Sequence, residues 1–127
     1  MEKQIVFTKG APEPVGPYSQ AVKAQGLLFV SGQLPINPVT GEIVRDSFES
    51  QVKTVLDNLR AVLEAGGSRL DRVCKVTIYL TDMKKFGEMN TIYDTYFHDS
   101  RPARACVEVS GLPRGVSVEM EAVALCE

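Results

Sequence analysis

The sequence predicts an α+β fold in which one mixed β-sheet has two helices packed on one face. Three observations carry this. Five or six segments have the composition or the two-residue period of strands, only two have helical spacing, and the order is βββ-α-β-α-ββ. A length of 127 residues suits one hydrophobic core, so residues 1–127 are read as a single domain.

The first strand is the short β-prone segment Ile5 to Thr8. It runs into Gly10-Ala-Pro-Glu-Pro-Val-Gly-Pro17, where three prolines and two glycines forbid regular structure and make a rigid loop. Tyr18 to Lys23 and Leu27 to Val30 read as a hairpin turning at Gln25-Gly26. Ser31-Gly32-Gln33 ends the second of these strands, and Pro35 to Gly41 is another turn-rich loop. Asp46 and Glu49 have the spacing of a capping box, and Phe48, Val52, Val55, Leu56, Leu59 and Leu63 follow at helical intervals. Gly66-Gly67 stops that helix.

From Val73 to Leu80, Cys74, Val76, Ile78 and Leu80 alternate with Lys75, Thr77 and Tyr79, the period of a strand with one apolar face. Asp82 is placed to cap a second helix whose buried stripe is Phe86, Met89, Tyr93 and Phe97, with Asn90 beside it. Ala103 to Val109 and Val116 to Leu125 read as two strands joined by Ser110 to Gly115. Alternation puts Arg104, Cys106 and Glu108 on one side of the first, and Ser117, Glu119, Glu121, Val123 and Leu125 on one side of the second. Assigned to the sheet face away from the helices, this mixture fits a partly buried interface with a polar pocket and predicts a homo-oligomer.

Composition narrows the function classes. Apolar residues at 44% and charged residues at 24% are ordinary for a globular chain. Fourteen basic against 16 acidic residues give a net charge of -2, so no global positive field gathers nucleic acid. No apolar run approaches the ~18 residues that span a bilayer. The opening Met-Glu-Lys-Gln-Ile lacks the apolar stretch of a secretory signal, so the expected location is the cytoplasm. Cys74, Cys106 and Cys126 are odd in number and lack Cys-x-x-Cys spacing, which argues against a disulfide framework or a zinc site. Gly-x-Gly-x-x-Gly, P-loop, His-Glu-x-x-His and Gly-x-Ser-x-Gly motifs are absent.

Arg104 is the most informative side chain. A guanidinium in the middle of an apolar strand must be paired or bind an anion to offset its desolvation. Glu108, Glu119 or Glu121 would serve a structural ion pair, whereas a bidentate fork on a carboxylate would mark the site of a small anionic ligand. If the last two strands form a hairpin, Glu119 faces the Arg104 pocket and either pairs with Arg104 or holds a water for attack. Cys106 shares the side of Arg104, as a nucleophile or as a small buried side chain, with no neighbouring histidine in sequence to activate it. Tyr18, Ser31 and Asn90 each offer a hydrogen-bonding tip beside apolar or Gly/Pro-rich surroundings, and Gly32 lets a ligand approach the backbone closely. His98, the one histidine, reads as a surface residue near a helix C-terminus.

Several longer motifs recur in a set order: Gly16-Pro-Tyr-Ser-Gln-Ala21, Phe29-Val-Ser-Gly-Gln33, Asn37-Pro-Val-Thr-Gly-Glu42, Asn90 with Tyr93, Arg101-Pro-Ala-Arg-Ala-Cys-Val-Glu-Val109, Leu112-Pro, and Val118-Glu-Met-Glu-Ala-Val123. From about Val6 to Leu125 the chain closely resembles the RidA (YjgF/L-PSP) family. The resemblance implies a chorismate-mutase-like fold assembled as a homotrimer, with sheets turned inward, helices outside and clefts between subunits. It also implies enamine/imine deaminase activity, in which 2-aminoacrylate and related products of pyridoxal-phosphate enzymes, in their imine form, are hydrolysed to 2-keto acids and ammonia without a cofactor. Carried over by position, Arg104 would bind the substrate carboxylate with help from the backbone N–H of Cys106, and Glu119 would orient the attacking water. Tyr18, Ser31, the backbone of Gly32, and Asn90 would complete the cleft, some from the neighbouring subunit. Other members are described as translation inhibitors or ribonucleases acting on RNA; the net charge of -2 and the missing basic-aromatic patch count against that activity here. A regulator that senses 2-keto acids would use the same Arg104 pocket without turnover.

Overall fold

The computed structural model of the protein describes residues 2–127. The elements in chain order are β1 (Gln4–Val6), β2 (Ala21–Ala24), β3 (Leu27–Gln33), α1 (Phe48–Ala65), β4 (Val73–Leu80), α2 (Phe86–Phe97), β5 (Ala103–Glu108) and β6 (Val118–Leu125). The strands form one sheet in the order β1-β2-β3-β6-β4-β5, and β4 with β5 is its parallel pair. Both helices lie on one face, so the fold class is the one the element order predicts. The expected final hairpin does not form. The β4-α2-β5 crossover lays β5 parallel to β4, and β6 returns between β3 and β4, antiparallel to both.

The two-residue period fixes what faces the helices. Leu28, Val30, Val76, Ile78, Leu80, Val118, Met120, Ala122 and Ala124 are all buried, and they pack on the α1 stripe of Val52, Val55, Leu56, Leu59 and Leu63 and on Met89, Ile92, Tyr93 and Phe97 of α2. α1 starts one residue beyond its expected cap. Ser47 Oγ accepts the Ser50 N–H at 3.0 Å, whereas Asp46 accepts the Ser50 hydroxyl, and Glu49 pairs with Lys53 one turn on. At the other end Gly67 takes φ 81° and the Ser68 N–H reaches the Leu63 carbonyl at 2.9 Å, closing a Schellman motif. Asp82 caps a single 3₁₀ turn, Met83–Lys85, and α2 follows from there.

Two features place the functional residues. β3 runs on through Ser31-Gly32 to Gln33, with a bulge that breaks its register with β6 between Val30 and Gln33. Gln20, almost fully buried, clasps the proline loop: its Oε1 accepts the Thr8 N–H at 2.7 Å, and its Nε2 donates to the carbonyls of Thr8, Ala11 and Pro12. That loop carries Val15 and leads into Tyr18.

Candidate functional site

Arg104 points to the helix side of the sheet. Its register partner across β5 and β4 is Val76, and Val76 pairs in turn with Ala122; both are buried under the helices. The face assigned from alternation is therefore the wrong one for Arg104, Cys106 and Glu108. β5 is an edge strand, and α2 lies over it with an aromatic bed. The Arg104 guanidinium sits 4.9 Å from the Tyr93 ring centroid and 5.5 Å from that of Phe86, and Nη1 donates to Asn90 Oδ1 at 2.6 Å. The half-buried guanidinium has no carboxylate partner among the described residues. Glu108 accepts the Met83 N–H at 2.7 Å instead, and Glu119 and Glu121 lie on the opposite face. The structural ion pair is thus not formed, and most of the guanidinium fork remains free for a planar anion.

Asn90, Tyr93, Arg101 and Arg104 line a cavity of about 460 Å³ beside the end of α2. Burial pushes the Tyr93 phenol up to about 12, against the pull of Arg104, and its hydroxyl has no hydrogen-bond partner among the described residues. Cys106 follows on the same side, half-buried against the core. Burial raises its thiol and the Arg104 charge only partly opposes this, so the sulfur stays protonated and is a poor nucleophile. His98 is exposed at the end of α2 and pairs with Asp94.

Glu119 belongs to a second group, on the open face. It pairs with Tyr79 across β6 and β4, and its carboxylate lies so close over Gly32 that a Cβ at that position would overlap it. The missing side chain at the bulge is what admits the carboxylate. Beside it, Ser31 donates through Oγ to the Ser19 carbonyl at 2.5 Å, and the Tyr18 hydroxyl accepts the Val15 N–H at 3.3 Å. Tyr18, Ser31, Gly32, Glu119 and Glu121 line a cavity of about 350 Å³. Burial, and secondarily the charge of Glu121, raise the Glu119 carboxyl above its ordinary value, which makes it a stronger proton acceptor than a solvated glutamate.

The structure thus brings the expected residues together in two sets. Asn90, Arg104 and Cys106 gather on the helix side; Tyr18, Ser31, Gly32 and Glu119 gather on the open side. The first set can hold a carboxylate and the second can take a proton from water. Two further residues of the open side are Tyr79, which received no role from sequence, and Glu121, whose only role from sequence is as an ion-pair partner for Arg104; they are joined by a 2.7 Å hydrogen bond from the Tyr79 hydroxyl to Glu121 Oε1. Alternation marks both as facing away from the apolar side of their strands, but only the strand order makes them neighbours. Among the described residues, no three His, Cys, Asp or Glu side chains cluster as metal ligands, and no helix is long and apolar enough to cross a membrane.

The family profile described as Endoribonuclease L-PSP matches residues 8–126, a span that includes both cavities. The chain belongs to this family. A RutC family protein of Pyrococcus horikoshii is 53% identical to this L-PSP family chain over 125 residues, 98% of this chain and 99% of that one. A Yersinia pestis crystal structure from the conserved Rid protein family superposes with a TM-score of 0.95 at 45% identity, covering 98% and 99% of the two chains. A mouse relative named 2-iminobutanoate/2-iminopropanoate deaminase is 42% identical over 123 residues, 97% of this chain and 91% of the mouse protein.

Proposed function

We propose that this L-PSP family protein is an imine deaminase, hydrolysing 2-iminopropanoate, 2-iminobutanoate and related products of pyridoxal-phosphate enzymes to 2-keto acids and ammonia. The observation that carries the reading is Arg104: a half-buried guanidinium on an aromatic bed, hydrogen-bonded to one amide and, among the described residues, to no carboxylate. Such a group is built for a ligand carboxylate, and the name of the mouse relative supplies the C=N bond beside it.

In this reading the protein works as a homotrimer, with Arg104, Asn90 and the Cys106 N–H of one subunit facing Tyr18, Ser31, Gly32 and Glu119 of the next. Two features support the assembly. The two sets of residues lie on opposite faces of one sheet, so they meet only if another copy supplies one of them. The open face also exposes Phe29 at 46%, Leu125 at 44% and Val107 at 42%, an apolar surface that docking would remove from water.

The chemistry asks little of the protein beyond placement. An enamine tautomerises to the imine, whose carbon is electrophilic beside the carboxylate. Arg104 fixes that carboxylate; a water held by Glu119 adds to the imine carbon as Glu119 takes its proton. Glu119 returns that proton to the nitrogen to complete the carbinolamine, which collapses to the keto acid as its hydroxyl proton passes to the nitrogen and ammonia leaves. No covalent enzyme intermediate is required, consistent with a protonated Cys106.

A coupled assay tests this. A pyridoxal-phosphate dehydratase generates 2-aminoacrylate, and pyruvate release is followed with the intact protein, with Arg104→Ala, or with neither. Acceleration by the intact protein alone is the expected result. Pyruvate appearing at the spontaneous rate in the presence of folded, oligomeric protein overturns the reading.

A further inference from the structure

Glu119 does not stand alone on its face. Glu121, two residues along β6, points the same way roughly 7 Å further on and lines the same cavity. Tyr79, on β4, is the register partner of Glu119 and at the same time the hydrogen-bond donor to Glu121. One phenol therefore ties the second carboxylate to the row of the first. Without that bond Glu121, which is solvent-exposed at the rim, would be free to swing away. We infer that Glu121, pinned by Tyr79, is a positioning residue that keeps a negative charge beside Glu119 and so tunes it as the proton acceptor.

The groups of the same chain that face Glu119 make this specific; in the assembly proposed above, Arg104 of the partner subunit faces it too and is unchanged in every variant below. From β3 come Ser31 and Gly32, neither of them titratable, and from the preceding loop comes Tyr18. From β5 comes Val107, aligned with Tyr79. On β4 the cation Lys75 lies on this face four residues from Tyr79, level with Val123 and so beyond Glu121. The 3₁₀ turn after β5 contributes Pro113, with Arg114 next to it. Among these neighbours within the chain, Glu121 is the charge adjoining Glu119 on its own strand face, and it acts in the same direction as burial. Tyr79 stays protonated to hold it, since donation to Glu121 lifts the phenol to about 12. A proton acceptor in this position gains basicity from a nearby negative charge that is fixed in place.

The inference rests on the deaminase reading for its purpose, but its test does not depend on turnover. The intact protein, Glu121→Gln and Tyr79→Phe are labelled with carboxyl-¹³C glutamate and titrated by NMR, with Glu119→Gln identifying the resonance. Gln at 121 keeps the acceptor for the Tyr79 hydroxyl and removes only the charge, so a purely structural role would leave the Glu119 midpoint where it is. The expected result is a midpoint moved to lower pH in Glu121→Gln, a smaller move in the same direction in Tyr79→Phe, and return toward the parent value in Glu121→Asp. The acid limb of kcat/KM for imine hydrolysis should move with it. A midpoint unchanged in both Glu121→Gln and Tyr79→Phe overturns the inference. A shifted midpoint in a protein that accelerates no imine hydrolysis upholds the coupling and overturns the deaminase reading alone.

Discussion

Arg104 and Glu119 stand on opposite faces of the same sheet, with β4 between their strands. Arg104 is level with Val76 and Ala122 under the helices, and Glu119 is level with Tyr79 on the open side. A single chain therefore carries two sets of candidate site residues that look away from each other. If two chains join them, mixing defective chains should repair the defect. Equal amounts of Arg104→Ala and Glu119→Gln protein, unfolded together and reassembled at random, leave about one cleft in four with both residues intact. Imine hydrolysis should return to about a quarter of the parent rate. A mixture as inactive as its two components would place both residues in one chain's site or in none.

Replacing Arg104 by Lys should be nearly as damaging as replacing it by Ala. Lysine keeps the charge but loses the planar fork and most of the contact with the Tyr93 and Phe86 rings. Mispositioning the carboxylate on this scale is expected to lower kcat/KM by about 100-fold or more. Steady-state kinetics with an unchanged size-exclusion profile checks this; a Lys variant close to the parent would show that simple charge suffices.

Gly32→Ala places a methyl group where the Glu119 carboxylate now lies. The carboxylate must move, while the sheet, already bulged there, has room to persist. We expect a drop of about 100-fold in kcat from a shift of order 1 Å, with circular dichroism unchanged. Full activity would mean that the close approach of Glu119 to Gly32 is dispensable.

Cys106→Ala should retain most of the activity, within about threefold, because the thiol is held protonated by burial and the strand N–H survives the substitution. Inactivation by this change, with the fold intact, would restore a chemical role for the sulfur. Cys74, the exposed cysteine, is the site that thiol reagents should label first.

Glu119 also has a thermodynamic signature. Its folded-state carboxyl is raised, so the folded chain binds the proton more tightly than the unfolded chain, and this group's contribution to stability grows as pH falls. Above the folded value the ionised, half-buried carboxylate is a constant penalty. Glu119→Gln should therefore be more stable than the parent at neutral pH, with the gap closing below the unfolded glutamate value of about 4.3. Urea denaturation at a series of pH values reads the difference, and a parent that is the more stable at pH 7 would contradict it. Stability given up at one residue is the usual mark of a side chain kept for function.

Much of this was legible in the chain. The stripe of α1, the alternation of β4 from Val76 to Leu80 and the glycine stop at Gly66-Gly67 are local patterns, and local physics decides them; at the start of β4 a register shift between Val73 and Lys75 buries Val73 and leaves Cys74, expected on the apolar face, exposed. The partners of β5 and β6 are not local. A period of two says that Arg104 and Ala105 face opposite ways but not which way the helices lie, and the short Ser110 to Gly115 connection invites a hairpin that the β4-α2-β5 crossover forestalls. The candidate residues of each set could be singled out, because a strand-borne guanidinium and a glycine in an apolar strand are conspicuous. Their distribution between the two faces, and the bond from Tyr79 to Glu121, depend on strand order, which no short segment encodes.

The pair of carboxylates on the open face bears on more than catalysis. Glu119 and Glu121 share the open face with Phe29, Val107, Val123 and Leu125, so two such faces pressed together in any arbitrary register would trap negative charge against hydrocarbon. Only a docking that leaves the carboxylates wet, or sets them toward a cation, escapes that penalty. If copies of this chain dock through this face, the two carboxylates would act as a proofreading code for self-association: a misaligned neighbour would be rejected by the charges that a correctly aligned one accommodates.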